Sequence, residues 1–451
     1  MGYVMAVMSF ARCGCMLLFV AACSAAERDP VDVLAFFGEI VKDNASRIRN
    51  TTCVQTIERQ YYQAKLTKQP RTCDDLAAER RRPGYKRTLE STDRLRLDVR
   101  AGPTAEMYSW PGAERFDDRT LWDIIGYGPA ATGPFGMALL QVVQGDATDF
   151  TFIGETDAGG RKLFSYGFRV PAERSHYAIQ DVPAAWMGTL DLDPETSQPV
   201  RMVTRVSELP PEAFVCDLQT DARYARTAIG GRELLLSRET RQRFIERSGA
   251  EVENVVTFSA CREYKAESRV SFGSASGEAP AGPPKAIRAA RLDLPPDLPV
   301  TIELTTRIDS ATAAGGDRFA GRLAKPVVDE QDRALVPEGA VVAGRLVKVA
   351  VRMEPPEVAI VLHVETVQFD GAEYPFHLTG RTPVSRRDQW LRLLSNVAIA
   401  VGAGAIGVGF GGITIVNHPP APEGELNVLR FSGTRQVIEP GFKTEWMTVR
   451  P

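Results

Sequence analysis

The feature that most constrains the fold of this chain is an alternation of mainly apolar and mainly polar positions on both sides of one polar turn. The turn reads DPETSQP, at residues 193–199. The alternating positions before it are Trp186, Gly188, Leu190 and Leu192, and those after it are Val200, Met202, Thr204 and Val206. Successive side chains of a strand point to opposite faces of a sheet, so a period of two gives one apolar face. The segment is therefore predicted to be an antiparallel hairpin.

Other segments before residue 273 predict more strands and two helices. RLRLDV alternates, and DFTFIGE is separated from KLFSYGFRV by the turn DAGG at residues 157–160. A helix is predicted to begin at Pro30 with Asp29 as its cap. Its apolar face would be formed by Val33, Phe37, Ile40, Val41 and Ile48. A second, short helix is expected within residues 135–145, and the whole indicates hairpins in series behind a leading helix.

The N-terminus has the pattern of a secretory leader. Arg12 precedes an apolar run from Met16 to Ala22, and small residues follow at once. The run is too short for a spanning helix, which needs about 20 apolar residues. VAAC at residues 20–23 resembles a lipobox, which would make residues 1–22 a lipoprotein signal and Cys23 the site of lipid attachment. The alternative is a signal peptide of residues 1–26, cleaved after the SAA sequence at residues 24–26.

The cysteines support export independently. Three of the seven lie in the first 23 residues, which leaves Cys53, Cys73, Cys216 and Cys261. No C-x-x-C pair occurs, so the spacing is not that of a zinc site. An even number of cysteines in an exported protein predicts two disulfides. Of the three connectivities we favour Cys53 with Cys261 and Cys73 with Cys216, because the segments around Cys53 and Cys261 both have strand patterns near the ends of one domain.

A break in composition indicates two domains. Residues 273–285, GSASGEAPAGPPK, have almost nothing to bury and are typical of an extended linker. We therefore expect one independently folded unit at residues 27–272, a flexible linker at 273–290 and a second unit at 291–451. The second unit is rich in alternating segments such as VTIELTTRI and EVAIVLHVETVQF, the latter closed by Asp370-Gly371. It is predicted to be an all-β barrel or sandwich.

Composition and charge limit the classes of partner. The chain has 451 residues, of which 44% are hydrophobic and 25% charged, and its formal net charge is −3. This describes a globular chain with no overall attraction for nucleic acid. The densest basic run, ERRRPGYKR at residues 79–87, is interpreted as a solvated loop, with contact to a polyanion or a headgroup as the alternative.

An uncharged, glycine-rich segment near the C-terminus has several interpretations. Residues 396–416 formally contain G-x-G-x-x-G, but a dinucleotide site needs a βαβ context that is missing here. Their length would suit a membrane span, although several glycines disfavour a helix. We expect a helical and glycine-rich insertion at about residues 386–416 inside the second domain, and contact with a membrane is left open.

The sequence has little that indicates catalysis. Its four histidines, His176, His363, His377 and His418, lie in no metal-binding motif. No G-x-S-x-G elbow or phosphate-binding loop is present, and the acidic pairs are in polar, loop-like surroundings. We predict a protein that is not an enzyme, with no cofactor and no metal.

Two resemblances add to this interpretation. The leading helix, the strands after it and LDLDPETSQPVRM resemble the outer-membrane lipoprotein-sorting proteins over roughly residues 30–272. That resemblance implies an open antiparallel half-barrel with a leading helix, which holds lipids or lipoprotein acyl chains. From about residue 295, the order KPV, VPEGA, GR and a final DG hairpin is similar to the C-terminal barrel of type IV secretion and conjugation channel proteins.

The expected protein is thus mainly β and is exported to the periplasm, or to the periplasmic face of the outer membrane, of a diderm bacterium. There it would bind a lipid, an acyl chain or another hydrophobic ligand through its N-terminal domain, and a lipid on Cys23 would attach it to the membrane. The alternative is a structural or assembly component of an outer-membrane complex, acting through the C-terminal domain. The sequence does not indicate the oligomeric state.

Overall fold

A computed structural model describes residues 28–263, 287–288, 291–380 and 425–450, except for short gaps in the first range. The gaps are 66, 68, 103–105, 114–115, 117–120, 126–128, 131, 144–147, 176–177, 180–181, 210–212 and 214. The leader with Cys23, residues 273–286 of the linker and the insertion at about 386–416 lie outside the described residues. The division into units at 27–272 and 291–451 stays a prediction.

The described residues form four α-helices and many strands. The helices are α1 Pro30–Ile48, α2 Cys73–Arg80, α3 Leu121–Ile125 and α4 Met137–Val143. The strands of the first unit are β1 Thr51–Tyr62, β2 Leu89–Ala101, β3 Glu106–Ser109, β4 Asp149–Asp157, β5 Lys162–Val170, β6 Ala178–Ile179, β7 Val182–Pro183, β8 Ala185–Leu192, β9 Pro199–Glu208, β10 Val215–Ile229, β11 Arg232–Glu246 and β12 Glu251–Glu263. Those of the second are β13 Ile287–Arg288, β14 Pro299–Leu304, β15 Ile308–Asp309, β16 Arg318–Leu323, β17 Val327–Val328, β18 Ala334–Val336, β19 Val341–Arg352, β20 Glu357–Phe369, β21 Ala372–Pro375, β22 Leu378–Gly380, β23 Leu426–Ser432, β24 Val437–Ile438 and β25 Lys443–Thr448.

The first unit is one open antiparallel sheet. Its strands pair in the order β4-β5-β8-β9-β10-β11-β12-β1-β2-β3. Within the described strands, β3 and β4 are not paired with each other, so the sheet has two edges. The predicted fold class, mainly β with an open antiparallel sheet and a leading helix, is confirmed.

The leading helix forms where the sequence predicts it. The Asp29 carboxylate accepts a hydrogen bond from the Val31 amide at 2.8 Å and so caps α1, and Pro30 is the first helical residue. Of the predicted apolar face, Val33, Phe37, Val41 and Ile48 are buried, while Ile40 is half-buried. The helix therefore covers part of the sheet with that face.

The predicted hairpin is formed by β8 and β9. Trp186 lies opposite Val206 and Leu190 opposite Met202, and all four side chains are buried on the same face. The turn is held by the Asp193 carboxylate, which accepts hydrogen bonds from the amides of Glu195 and Thr196, each at 2.8 Å. The alternation in the sequence thus corresponds to a real inward and outward pattern.

The second unit has a core of its own. Buried side chains of β14, β16, β19, β20 and β25 pack together there, and they include Ile302, Phe319, Val342, Ile360 and Trp446. The β20–β21 hairpin turns at Asp370 and Gly371, both with positive φ, as the Asp-Gly pair predicts. In the described part of this unit the sheet runs β22-β25-β14-β16-β19-β20-β23.

The two units share hydrogen bonds along β2. The first part of β2 pairs with the end of β19, with Asp93 opposite Ala350, and its second part pairs with β3. The Gly315 amide also donates to the Arg94 carbonyl at 2.8 Å, and the Gly315 carbonyl accepts from the Arg96 amide at 2.7 Å. A Cβ at Gly315 would lie 2.6 Å from the Val347 oxygen, so only glycine allows this approach.

One ion pair is completely buried beside this junction. The Arg59 guanidinium donates to both oxygens of Asp93, at 2.7 and 2.9 Å, and neither side chain is exposed. The Tyr61 hydroxyl donates to the same carboxylate at 3.3 Å. Arg59 is on β1 and Asp93 lies directly opposite it on β2. The pair therefore joins β1 to β2 at the place where β2 also pairs with β19 of the second unit.

The four cysteines of the first unit form two disulfides. Cys53 is bonded to Cys261 across the adjacent strands β1 and β12, with the Cα atoms 4.0 Å apart. Cys73, the first residue of α2, is bonded to Cys216 on β10, with the Cα atoms 5.2 Å apart. This is the connectivity favoured from the sequence. The second bond fixes α2 to the sheet.

The pairing can be tested on the purified protein. Alkylation of the denatured chain without reductant should label none of Cys53, Cys73, Cys216 and Cys261, and mass spectrometry of a non-reducing digest should find the two cross-linked peptide pairs. Complete labelling of Cys53 and Cys261 would contradict the structure.

The ion pair gives a second prediction. Asp93→Asn should lower the free energy of unfolding by about 3–5 kcal/mol, because it leaves the Arg59 charge buried without its carboxylate. Urea unfolding followed by circular dichroism measures the change. The matched control is Asp43→Asn, which breaks a 2.9 Å pair with Arg47 whose side chains are about half exposed. That change should cost less than about 1 kcal/mol; equal effects of the two substitutions would refute the role of burial.

Candidate functional site

The candidate site is the face of the first sheet that α1 and α4 cover, called the covered face below. It is lined by large apolar and aromatic side chains from β5, β8, β9, β10 and β11. They are Phe164, Tyr166, Phe168, Trp186, Leu190, Leu192, Met202, Tyr224 and Leu235. Neighbouring rings touch edge to face, as in the Phe168–Trp186 pair with centroids 5.5 Å apart. Such a surface needs an apolar partner to exclude water.

Two helices provide that partner. Val33, Phe37 and Val41 of α1 and Leu139 and Val142 of α4 are buried in the same cluster as the sheet side chains. The space left between α1 and α4 is about 10 Å³, room for about one water molecule. A ligand on the covered face would therefore have to replace helix side chains rather than enter a space already open.

Few polar contacts attach α1 to the sheet. The Asn44 side chain donates to the Leu235 carbonyl at 2.9 Å and accepts from the Leu235 amide at 2.8 Å. At the other end the Tyr166 hydroxyl donates to the Pro30 carbonyl at 2.7 Å. Hydrogen bonds of this kind contribute roughly 1 kcal/mol each, so burial of the apolar face provides most of the attachment.

A buried carboxylate attaches the segment that leads into α4. Glu106 accepts hydrogen bonds from the amides of Gly133 and Phe135, both at 2.7 Å, and from the Tyr108 hydroxyl at 2.5 Å. Burial raises the pKa of Glu106, although these hydrogen bonds act in the opposite direction. The carboxylate thus holds residues 133–135 at the end of the covered face near β3.

An apolar rim remains exposed beside the cover. Val31 and Phe36 on α1 are 73% and 56% exposed, and Phe152 on the edge strand β4 is 42% exposed. The Phe152 ring lies 5.4 Å from the rings of both Phe164 and Tyr166. The aromatic lining of the covered face therefore continues to the open edge of the sheet.

A row of polar side chains crosses the covered face. Gln242, Asn254, Arg59 and Asp93 lie opposite one another on β11, β12, β1 and β2. Two residues further along these strands, Phe244, Val252 and Tyr61 form one apolar cluster. On the other side, Ile57, Leu95 and Val256 belong to another. The row thus separates two apolar regions.

Several buried polar atoms near this row have no hydrogen-bond partner. Both side-chain polar atoms of Gln55, the oxygens of Gln242 and Asn254, and the Ser91 hydroxyl are in this state within the described part of the chain. Such groups are rare in protein interiors and costly when unpaired. They mark a place where a polar group of a ligand would gain hydrogen bonds.

Lys348 brings a further charged group to the row from the second unit. It is on β19, two residues before Ala350, which lies opposite Asp93. Burial lowers the pKa of Lys348 from 10.5 to about 7; the Asp93 carboxylate opposes this change, and the Arg59 charge adds to it. The junction between the units therefore holds a buried lysine that loses its proton more readily than a solvated lysine does.

The sequence did not indicate the polar row. Cys23 lies outside the described residues, so its lipid attachment stays a prediction, and Cys53, Cys73, Cys216 and Cys261 serve as cross-links. Arg59 and Asp93 occupy inward positions, and on each strand an apolar residue, such as Ile57 or Leu95, lies two positions away on the same face. This spacing was the one signal in the sequence that could have shown that they are buried. Glu106 is in a short strand with no comparable pattern.

In the part of the chain that the structure describes, no group of three His, Cys, Asp or Glu side chains is placed to hold a metal ion. None of the described helices has the length and apolar character needed to cross a membrane.

Comparison with known proteins finds distant structural similarity. No protein-family model and no curated protein matches the chain. Among solved structures, a DUF1329 family protein from Desulfovibrio piger is 12% identical with a TM-score of 0.25, covering 54% of this chain and 96% of its own. A LolA superfamily protein from Nitrosomonas europaea is 9% identical with a TM-score of 0.25, covering 52% and 96%. An outer membrane lipoprotein-sorting protein domain from Vibrio parahaemolyticus is 11% identical with a TM-score of 0.25, covering 52% and 94%. TM-scores this low do not assign the chain to a family.

Lys348 gives a pH-dependent prediction. Between about pH 7 and 10.5 the unfolded chain binds a proton at this lysine that the folded chain does not, so the free energy of unfolding should rise with pH across that window. Lys348→Met should remove this part of the rise, measured by urea unfolding at a series of pH values. Lys42→Met, at a lysine whose side chain is 57% exposed, should keep the wild-type slope. A wild-type slope in Lys348→Met would show that Lys348 is charged in the folded protein.

Proposed function

We propose that the protein binds a lipid, an acyl chain or a similar hydrophobic ligand on the covered face and has no catalytic activity. The observation that carries the proposal is that, among the residues the structure describes, this aromatic and aliphatic face is covered by two helices and not by a second sheet. Helices held mainly by apolar contacts can be replaced by an acyl chain, which offers the same kind of surface.

The geometry supports a particular arrangement of the ligand. An acyl chain in place of α1 would lie against Phe164, Trp186 and Leu190, and the exposed Phe152 would receive it at the open edge. The unpartnered oxygens of Gln242 and Asn254 lie further across the same face and suit the polar end of an amphiphile. Displacement of α1 breaks its two hydrogen bonds to Leu235, so that contact controls access.

We also propose that the protein is exported to the periplasm or to the periplasmic face of the outer membrane, and that a lipid on Cys23 holds it there. The leader pattern and the four cysteines of the first unit, which pair as disulfides, support export, because disulfides persist in oxidising compartments.

Binding is tested with the neutral apolar dye N-phenylnaphthylamine. The full chain should increase the dye fluorescence, and palmitate should displace the dye because both occupy the covered face. Asn44→Ala removes both side-chain bonds to Leu235 and should speed dye binding by roughly tenfold, since displaced α1 becomes more populated.

Ser46→Ala is the matched control on the same helix. Its hydroxyl is exposed and bonds only the Asp43 carbonyl of its own turn, so dye binding should be unchanged. If neither the wild type nor Asn44→Ala binds the dye, the proposed function is wrong. If Ser46→Ala and Asn44→Ala speed binding equally, α1 does not control access.

A further inference from the structure

A second concave site lies on the opposite, outer face of the first sheet. A cleft of about 240 Å³ is formed where α2 lies over β9, β10 and β11. Four arginines line it, Arg80 and Arg81 from the end of α2, Arg205 from β9 and Arg243 from β11, with one carboxylate, Asp217. Arg205 and Arg243 alternate along their strands with the buried Val206 and Phe244, which places them on the outer face.

The helix α2 is held in an unusual way. Leu76 is its one buried side chain, so hydrophobic burial contributes little to its docking. Instead, the Cys73–Cys216 disulfide links its first residue to β10, and Thr72 and Asp75 form a capping box. These bonds fix a short polar helix that carries arginines over the sheet. The basic run at residues 79–87 is therefore only partly a solvated loop, because Arg80 is helical and its side chain is 7% exposed.

One carboxylate holds two of the guanidinium groups in place. Glu251, whose side chain is 2% exposed, accepts from Arg80 at 2.7 Å and from Arg243 at 2.8 Å, and also from the Tyr85 hydroxyl at 2.6 Å. Burial opposes ionisation of Glu251, but the hydrogen bonds from Tyr85 and Arg243 and the Arg80 charge outweigh it, so the pKa of Glu251 is lowered. Glu251 is therefore an anion that orients both arginines.

At the opening of the cleft, some guanidinium N–H groups remain able to donate hydrogen bonds to a ligand. Arg205 uses its Nε to bind Asp217 at 2.7 Å, and its side chain is 57% exposed. Within the described residues, the exposed Arg81 guanidinium has no ion-pair partner. Arginines thus reach the cleft from α2, β9 and β11, and they exceed the nearby carboxylates Asp217 and Glu251 by two positive charges.

We propose that this cleft binds a phosphoryl group. Guanidinium groups donate in planar forks that match phosphate oxygens. Donors that converge from three elements suit a tetrahedral anion, whose oxygens point in different directions, better than a planar carboxylate. The cleft volume leaves room for a small group attached to the phosphate. The site does not involve the covered face and does not depend on the function proposed above.

Calorimetric titration with glycerol phosphate tests the proposal on the full chain. The double variant Arg81→Gln/Arg205→Gln should bind at least roughly tenfold more weakly, because it loses two charge-assisted donors. The matched control is Arg201→Gln/Arg223→Gln, which removes the same charge from the same outer face. Arg201 binds Asp221 across β9 and β10 at 2.7 Å, as Arg205 binds Asp217, but lies outside the cleft. The control should keep its affinity within about twofold.

A second arm distinguishes a free ligand from a membrane headgroup. The same proteins are sedimented with vesicles of phosphatidylcholine alone and with vesicles that also contain phosphatidylglycerol. Loss of binding in the cleft variant alone supports the proposal, with glycerol phosphate, anionic vesicles or both. Equal loss in both double variants would reduce the effect to general surface charge and overturn the proposal. The proposal is also overturned if the wild type binds neither glycerol phosphate nor the anionic vesicles. Dye binding to the covered face should be the same in the wild type and in both double variants.

Discussion

The whole first unit depends on the need to shield one apolar face of an open sheet. A closed barrel or a sandwich would shield it with strands, but here β3 and β4 end the sheet and helices lie on its face. The leading helix follows directly from this constraint, because its buried residues Val33, Phe37 and Val41 match the aromatic surface beneath them. A cover of this kind is held mainly by the apolar surface that it buries and less by specific hydrogen bonds. It is therefore the part of the molecule that a ligand of similar character can replace.

Local features of the fold could be predicted from the sequence, and long-range ones could not. The alternation around the turn at residues 193–199 gave the β8–β9 hairpin with its faces, and Asp29-Pro30 gave the start of α1. The pairing of β2 with β19 was not predictable. It places Asp93 opposite Ala350, whereas the linker that lies between these residues in the sequence indicates two separately folded units. Local patterns carry no information about such a register.

The charged side chains that point into the protein were the main features of the site that the sequence did not predict. Arg59 and Asp93 are residue types that usually lie in solvent, and each is tolerated here only because the other lies opposite it on the next strand. Gln55, Ile57, Arg59 and Tyr61 share one face of β1, and such a mixture of polar and apolar residues does not show that the face is buried. Glu106 is a similar case, since its partners are backbone amides about 30 residues away. Nearly every residue has a backbone amide, so the sequence does not show which amides will bind a buried carboxylate.

The two disulfides determine which parts of the first unit can move. Cys53–Cys261 joins the neighbouring interior strands β1 and β12, and Cys73–Cys216 joins α2 to β10 on the outer face of the sheet. Neither bond includes a residue of α1 or α4, which lie on the covered face. A ligand that displaces the cover would therefore leave the order of the strands and the arginine cleft unchanged. The second unit adds to this rigidity, because β19 extends the hydrogen bonding of β2 beside the buried Arg59–Asp93 pair. A fixed sheet with a replaceable cover thus follows from where the covalent bonds and the buried charges are placed.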